Sequence, residues 1–395
     1  MKQKKIKIAA LFSHPVYYHT APLALLPDDF DVTLLFATRH GLDSDYDKEF
    51  GVRADFKRDH FSGLSYRFLK NFSLSPSPSF LGQINFGIIP HLFKKRYDFI
   101  IVYGWNSLTN WLAFFVAKIA GTRVLLRSES PLNQELLKSA WKRFVKRFIL
   151  GRILFPIIFG FLYIGEENKK FYLYYGVSKK KLFFAPYAVD NDWFMGEAKR
   201  LLPQSVALRA KEGIEPDAFV VLFVGKLIQK KRPMDLLKAF EKFSRQHKKT
   251  AHLIFVGDGD LRFELEEYVK ECAVNNVHFV GFKNQTELPI YYTISDVFVL
   301  PSGEGETWGL VVNEAMCFDL LIVVSDVVGC GGDLVSAGSG SIFPVGDVAS
   351  CRDALVEMSR KKGNISGSTV KKYSYEAIAN GICEAIVGFG GNNTV

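Results

Sequence analysis

The chain has 395 residues, too many for one hydrophobic core and enough for two domains of roughly 150–200 residues. Its 50 basic and 41 acidic residues leave a net charge of +9, which favours anionic partners without choosing among phosphorylated ligands, nucleic acid and acidic lipid. The five cysteines (Cys272, Cys317, Cys330, Cys351, Cys383) form no C-x-x-C pair and the eight histidines show no metal-ligand spacing; this argues against a disulfide framework or a structural zinc site, and a reducing cytosol is the expected compartment.

The opening MKQKKIKIAALFSHP has the basic start of a signal peptide. Its apolar part runs only from Ile6 to Phe12, is interrupted by Lys7 and meets no small-residue cleavage site, so it predicts a first buried strand. Apolar β-rich runs recur at 31–37, 98–103, 123–128 and 161–165. They are continuous rather than alternating, as in a parallel sheet covered by helices on both faces. Residues 39–97 are less regular, and LSPSPSF (74–80) predicts an exposed loop. From Lys138 to Arg152 the chain reads KSAWKRFVKRFILGR, with six basic residues and no acid. As a helix it places Trp141, Phe144, Val145, Phe148 and Ile149 on one face. Two readings stand: an amphipathic helix on an anionic membrane, or a domain helix packed on the sheet with its lysines solvated. The apolar run 153–165 holds Pro156 and is short for a bilayer, so no transmembrane segment is expected.

In the second half, strands are predicted at 219–225, 251–257, 277–282, 296–302, 320–326 and 341–346. Leu236, Leu237, Phe240 and Phe243 form one helical stripe after Pro233, and Leu261, Leu265, Tyr268, Val269 and Cys272 form another. Such alternation is that of a doubly wound α/β domain. The expected organisation is a first Rossmann-like domain over 1–192, a second over 193–374, and a C-terminal helix in 375–395 crossing back to the first. Ligands on such sheets bind at the carboxyl ends of the strands, so the expected site is a cleft between the two domains.

The strand ends carry the chemistry. GKLIQKKRP (225–233) offers Lys226 and Lys231 to a diphosphate; the bland reading is a solvated basic loop. GDGDLR (257–262) contains a D-x-D, either a metal-holding pair or a turn with Asp260 capping the helix that opens at Leu261; capping is the stronger reading. Phe282 can pack against a flat base or into the core. In LPSGEGETWGLVVNEAM (300–316) a helix is predicted to begin around Trp308 to Leu310, and its free amides attract a phosphate. Glu306 stands just before that helix and Glu314 about one turn inside it. Carboxylates there can grip vicinal sugar hydroxyls on either side of a diphosphate, which describes a nucleotide sugar. The plain alternative is that Glu306 favours the helix dipole and Glu314 meets a surface lysine. In the first half, His14 and His19 lie just past the first strand, as cleft or structural residues. No nucleic-acid module or basic–aromatic platform is present, and no nucleic-acid partner is expected.

These segments resemble glycosyltransferase family 4, the group 1 glycosyl transferases of GT-B fold. FVGKLIQKKRP, LIFVGDGDLR, HFVGFKNQTELP, LPSGEGETWGLVVNEAM and VSDVVGCGGDLV carry the resemblance, with Glu306 to Glu314 as the E-x7-E element. FSHPVYYHTAPL (12–23), YDKEFG (46–51) and GVSKKKLFFAPYAVDNDWF (176–194) match more loosely. The resemblance implies two Rossmann-like doubly wound parallel-sheet domains facing across a cleft. It implies retaining transfer of a sugar from a nucleotide diphosphate sugar to a glycan or lipid-linked acceptor, with no essential metal and no cofactor besides the donor. Glu306 would contact the donor sugar, Glu314 the ribose, Lys226 and Lys231 the diphosphate, and the amides near Trp308, Gly309 and Leu310 its phosphates. Two departures stand out. Gly104-Trp105-Asn106 occupies a place where many relatives carry a histidine, leaving Asn106 as the hydrogen-bonding group. CFDLLIVVSD lacks the usual Gly and Pro after the E-x7-E helix, so the turn is expected to close through Asp319. The rival functions are a sugar-nucleotide-binding protein without turnover and a nucleotide-sugar epimerase of the same architecture.

Overall fold

The computed structural model describes residues 5–40, 61–335, 338–361 and 369–388, and the backbone of 46–47, 52–53 and 367–368. Of the YDKEFG stretch, residues 48–51 lie outside the described residues. One compact unit takes most of the first 187 residues and returns to include the chain from Ser374; the other holds Ala188–Tyr373.

The chain forms a short ribbon of β3 (Tyr46–Asp47) with β4 (Val52–Arg53), which is grouped with the second unit; the first unit is built on β1 (Ile6–Phe12), β2 (Phe30–Phe36), β5 (Ser65–Phe68), β6 (Phe99–Tyr103), β7 (Arg123–Arg127), β8 (Gly160–Tyr163) and β9 (Leu182–Phe184). The sheet order is β5-β2-β1-β6-β7-β8-β9, and its pairings are parallel. Apolar runs such as Ile8–Leu11 and Ile100–Val102 are fully buried because helices cover both faces. The sequence misses β5 and β9, the two edge strands: one is polar and exposed, the other only three residues long. The helix Tyr375–Val387 packs on β8, β9 and the turn Ala21–Leu25.

The second unit holds β10 (Phe219–Val224), β11 (Ala251–Val256), β12 (Val277–Gly281), β13 (Val297–Leu300), β14 (Leu321–Ser325) and β15 (Gly340–Phe343), all parallel, in the order β12-β11-β10-β13-β14-β15. The helix Pro233–Ser244 buries Leu236, Leu237, Phe240 and Phe243, the stripe read from the sequence. The turn after the helix Leu310–Met316 closes through Asp319, at φ +57°. Leu320 N–H then donates back to Ala315 O at 3.4 Å, a left-handed helix ending that usually uses glycine.

Candidate active site

Strand order in each sheet reverses at one point, and the crevice above such a reversal is where open α/β sheets bind ligands. In the second unit it falls between β10 and β13. The loop leaving β10 passes Gly225 and Lys226, makes a tight turn Gln229–Lys231, and enters its helix through Arg232 in the left-handed region, with Pro233 as the first helical residue. The loop leaving β13 comes alongside, and Gly303 N–H donates to Lys230 O at 2.7 Å. The Lys231 ammonium donates to Glu306 Oε2, and Ser302 Oγ donates to the same oxygen at 3.2 Å. Two residues named from separate motifs thus meet at the switch point. Both side chains are largely withdrawn from water, where a charge-assisted hydrogen bond is strong.

The helix Leu310–Met316 starts from Gly309 at φ +98°, with no side chain capping its first amides. A Cβ on Gly309 would lie 2.8 Å from a methyl of Leu300 in β13, so both the backbone angle and the close approach require glycine. The loop after β14 clamps this segment from the other side. Gly329 N–H donates to Glu306 O at 3.2 Å and Cys330 N–H to Trp308 O at 3.1 Å. A side chain at Gly329 would meet Thr307 O at 1.8 Å. Trp308 is 2% exposed and its indole N–H donates to Asn313 Oδ1 at 2.8 Å, so its backbone rather than its ring is available to a ligand. Half-buried Glu314 accepts the Tyr292 hydroxyl at 2.7 Å, and burial and then the Glu314 charge push the Tyr292 pKa well above its usual value.

Phe282 is half-buried just past β12, at the sheet edge and two strands from the switch point. The expected Asp260 cap does not form: the helix is Arg262–Glu271, and Leu261 precedes it without a side-chain cap. Asp258 holds this corner instead, accepting Arg262 Nη1 at 2.7 Å and Gly259 N–H at 2.9 Å.

In the first unit the reversal lies between β1 and β6, and His14, His19 and Asn106 all follow those two strands. His14 Nδ1 is hydrogen bonded to Ser13 Oγ at 2.8 Å. The exposed Asn106 turns its carboxamide oxygen back onto Trp105 N–H at 3.2 Å. His19 is half-buried beside Tyr103 and Tyr187, with Nε2 3.8 Å from Glu129 Oε1. Its Nδ1 has no hydrogen-bond partner among the described residues. Burial first, then the charges of Arg127 and His14, hold its pKa well below the usual range.

Arg127, Glu129 and Tyr187 were not singled out by the sequence. Arg127 donates to the carbonyls of Ala185 and Pro186 across the next strands, and Tyr187 donates its hydroxyl to Glu129. The available signal was RVLLRSE: two charged residues at the end of an apolar strand, where a plain core strand has none.

A family profile described as glycosyl transferases group 1 matches residues 205–379. The chain is 34% identical over 122 residues to alpha-monoglucosyldiacylglycerol synthase of Acholeplasma laidlawii, covering 31% of this chain and 30% of that protein. It is 26% identical over 277 residues, 68% of each chain, to the Escherichia coli UDP-Gal:alpha-D-GlcNAc-diphosphoundecaprenol alpha-1,3-galactosyltransferase. Anabaena HepE, crystallised with UDP and glucose, shares the fold with a TM-score of 0.66 at 17% identity, covering 97% of this chain and 100% of that one. The matched stretches span about a third of the length of the first curated relatives. Sheet order, switch-point residues and sequence match agree: residues 205–379 match the group 1 glycosyl transferases, on a chain of two parallel-sheet units that share the GT-B fold.

Proposed function

We propose that the protein is a retaining hexosyltransferase that moves a sugar from a nucleotide diphosphate sugar to a glycan or lipid-linked acceptor. The bond from the anomeric carbon to the leaving phosphate oxygen breaks, and a bond to an acceptor hydroxyl oxygen forms on the same face. The acceptor proton passes to the departing phosphate, and a nucleoside diphosphate leaves. Negative charge grows on that leaving group, so fixed cations beside it lower the barrier. Lys231 and Lys226 are assigned this role, which removes the need for a divalent metal. The amides at Trp308, Gly309 and Leu310 are assigned to the phosphates, Glu306 to the donor sugar, Glu314 to the ribose and Phe282 to the base.

The observation that carries this reading is the Lys231–Glu306 bond joining the loops after β10 and β13. It sets a cation and a sugar-binding carboxylate against each other at the switch point, before an uncapped helix start. In support, Asp258 of the D-x-D is already held by Arg262.

The relatives named for diacylglycerol- and diphosphoundecaprenol-linked acceptors favour a lipid-linked acceptor here. We place the reaction at the cytoplasmic face of an anionic membrane, touched through 138–152. Among the described residues no helix is long and apolar enough to cross one. Sedimentation with phosphatidylglycerol vesicles, but not phosphatidylcholine vesicles, is the expected outcome.

The deciding experiment is a thermal-shift screen against UDP-, GDP-, ADP- and dTDP-sugars, followed by NMR of the product's anomeric configuration. Selective binding raises the melting temperature by mass action. Conversion of donor alone to its epimer would establish the epimerase instead. Binding without either product would leave a sugar-nucleotide-binding protein.

A further inference from the structure

The helix Ala140–Phe148 is amphipathic in the wrong sense for a helix packed on a sheet. None of its residues is buried, and Trp141, Phe144 and Phe148 are 71%, 63% and 60% exposed. What ties it to the body is charge. Glu135, buried at 2%, accepts Lys146 Nζ at 2.7 Å, Lys138 Nζ at 2.9 Å and the Tyr175 hydroxyl at 2.7 Å. Burial alone would raise the Glu135 pKa, but these three donors outweigh it and hold the carboxyl below its ordinary range. Lys146 also lies 4.9 Å from the centre of the Phe171 ring and 5.7 Å from that of Trp105. An anchor made inward by a lysine leaves Trp141, Phe144 and Phe148 exposed.

Between this helix and the loop after β6 lies a trench of about 640 Å³, within the range of sites that take small ligands. Trp105, Trp111, Trp141, Val145, Ile149 and Leu150 are among the residues that line it. Its inner wall is preformed. Trp105 stacks on Phe171 at 5.7 Å and 12°, and the Trp111 indole N–H donates to Trp105 O at 2.9 Å. The exposed Lys142 stands on its rim. Trp105 and Asn106 bring the trench to the carboxyl end of β6, one side of this sheet's switch point.

We infer that this trench binds the hydrocarbon chain of a phosphate-linked lipid acceptor, with Lys142 meeting its phosphate. The inference rests on the glycosyltransferase reading for the identity of that lipid as acceptor. A rigid aromatic wall suits a chain, a cation at the mouth suits an anionic headgroup, and the edge on which the trench opens lets the head reach the strand ends.

The test is calorimetric titration of the full chain with decyl phosphate below its micelle concentration, with inorganic phosphate as the headgroup control. Decyl phosphate is expected to bind at least tenfold more tightly than inorganic phosphate. Trp141→Ala, at an exposed site, and Val145→Asp are each expected to weaken it at least tenfold with melting temperature and nucleotide binding unchanged. Equal affinity for the two probes, or unchanged decyl phosphate binding in both variants, would overturn the proposal. Decyl phosphate binding in a chain that binds no nucleotide sugar would instead defeat the glycosyltransferase reading and leave the trench standing as a lipid site.

Discussion

Lys231 and Glu306 are 75 residues apart in sequence, and their side chains share a hydrogen bond. The loop of each is held to the other by Gly303 N–H on Lys230 O, so the pair stays aligned without a ligand. Lys231→Ala is expected to lower turnover about 10²–10³-fold, the usual loss when a fixed charge facing transition-state charge is removed. Glu306→Gln keeps the shape and removes the charge. Because the two side chains contact each other, the double variant should lose less than the sum of the two single losses. Wild-type turnover in Lys231→Ala, with donor and acceptor saturating, contradicts the assignment.

Glu314 receives the Tyr292 hydroxyl, which orients its carboxylate. Glu314→Ala should weaken nucleotide binding roughly ten- to a hundredfold, the size of a lost hydrogen bond to a charged group. Tyr292→Phe should cost about 1 kcal/mol of stability and weaken binding less. Titration with the nucleoside diphosphate alone separates the two effects, since it omits the transferred sugar.

Gly309→Ala tests the helix start. Its φ of +98° and the 2.8 Å approach to Leu300 should together cost about 1–3 kcal/mol in chemical denaturation. Loss of nucleotide binding beyond the loss of stability would show that the position of the first helical amides matters in its own right.

His19 predicts a pH dependence. Its folded pKa is depressed by burial, then by Arg127 and His14, so the unfolded chain takes up the proton first as pH falls. Stability from the buried neutral ring is fully present above about 6.5 and declines below it, toward the folded pKa. His91, His247 and His278 are depressed in the same direction, so the measure is a difference. Subtracting the melting profile of His19→Gln from that of the parent between about pH 5 and pH 8 should show a slope below about 6.5. A flat difference would mean that His19 has the same pKa in the folded and the unfolded chain, and would contradict the depression.

Local pattern made much of the architecture legible. Each of the eleven strands read from apolar runs is present, because strands buried on both faces are largely apolar along their length, and that signature is contiguous in sequence. The exposed β5 and the three-residue β9 carry no such signature. The turn through Asp319 was legible as well, since the absence of glycine and proline left few residues able to take a left-handed conformation. The Asp260 cap was not, because Asp258 found Arg262 and the helix began one residue later than expected.

The chain's residue types and spacing were enough to name two lysines and two glutamates as candidate ligand-binding groups, since glycine-spaced loops after buried strands leave few other places for charge. They could not tell that Lys231 pairs with Glu306, that the Trp308 ring is core, or which way the 138–152 helix turns its aromatic face. Those outcomes depend on strand order, which puts β13 beside β10 across intervening chain, and on Glu135, which draws Lys146 inward and leaves Trp141, Phe144 and Phe148 exposed. A periodic pattern reports that a helix has two faces; which of them meets the protein is settled by partners distant in sequence.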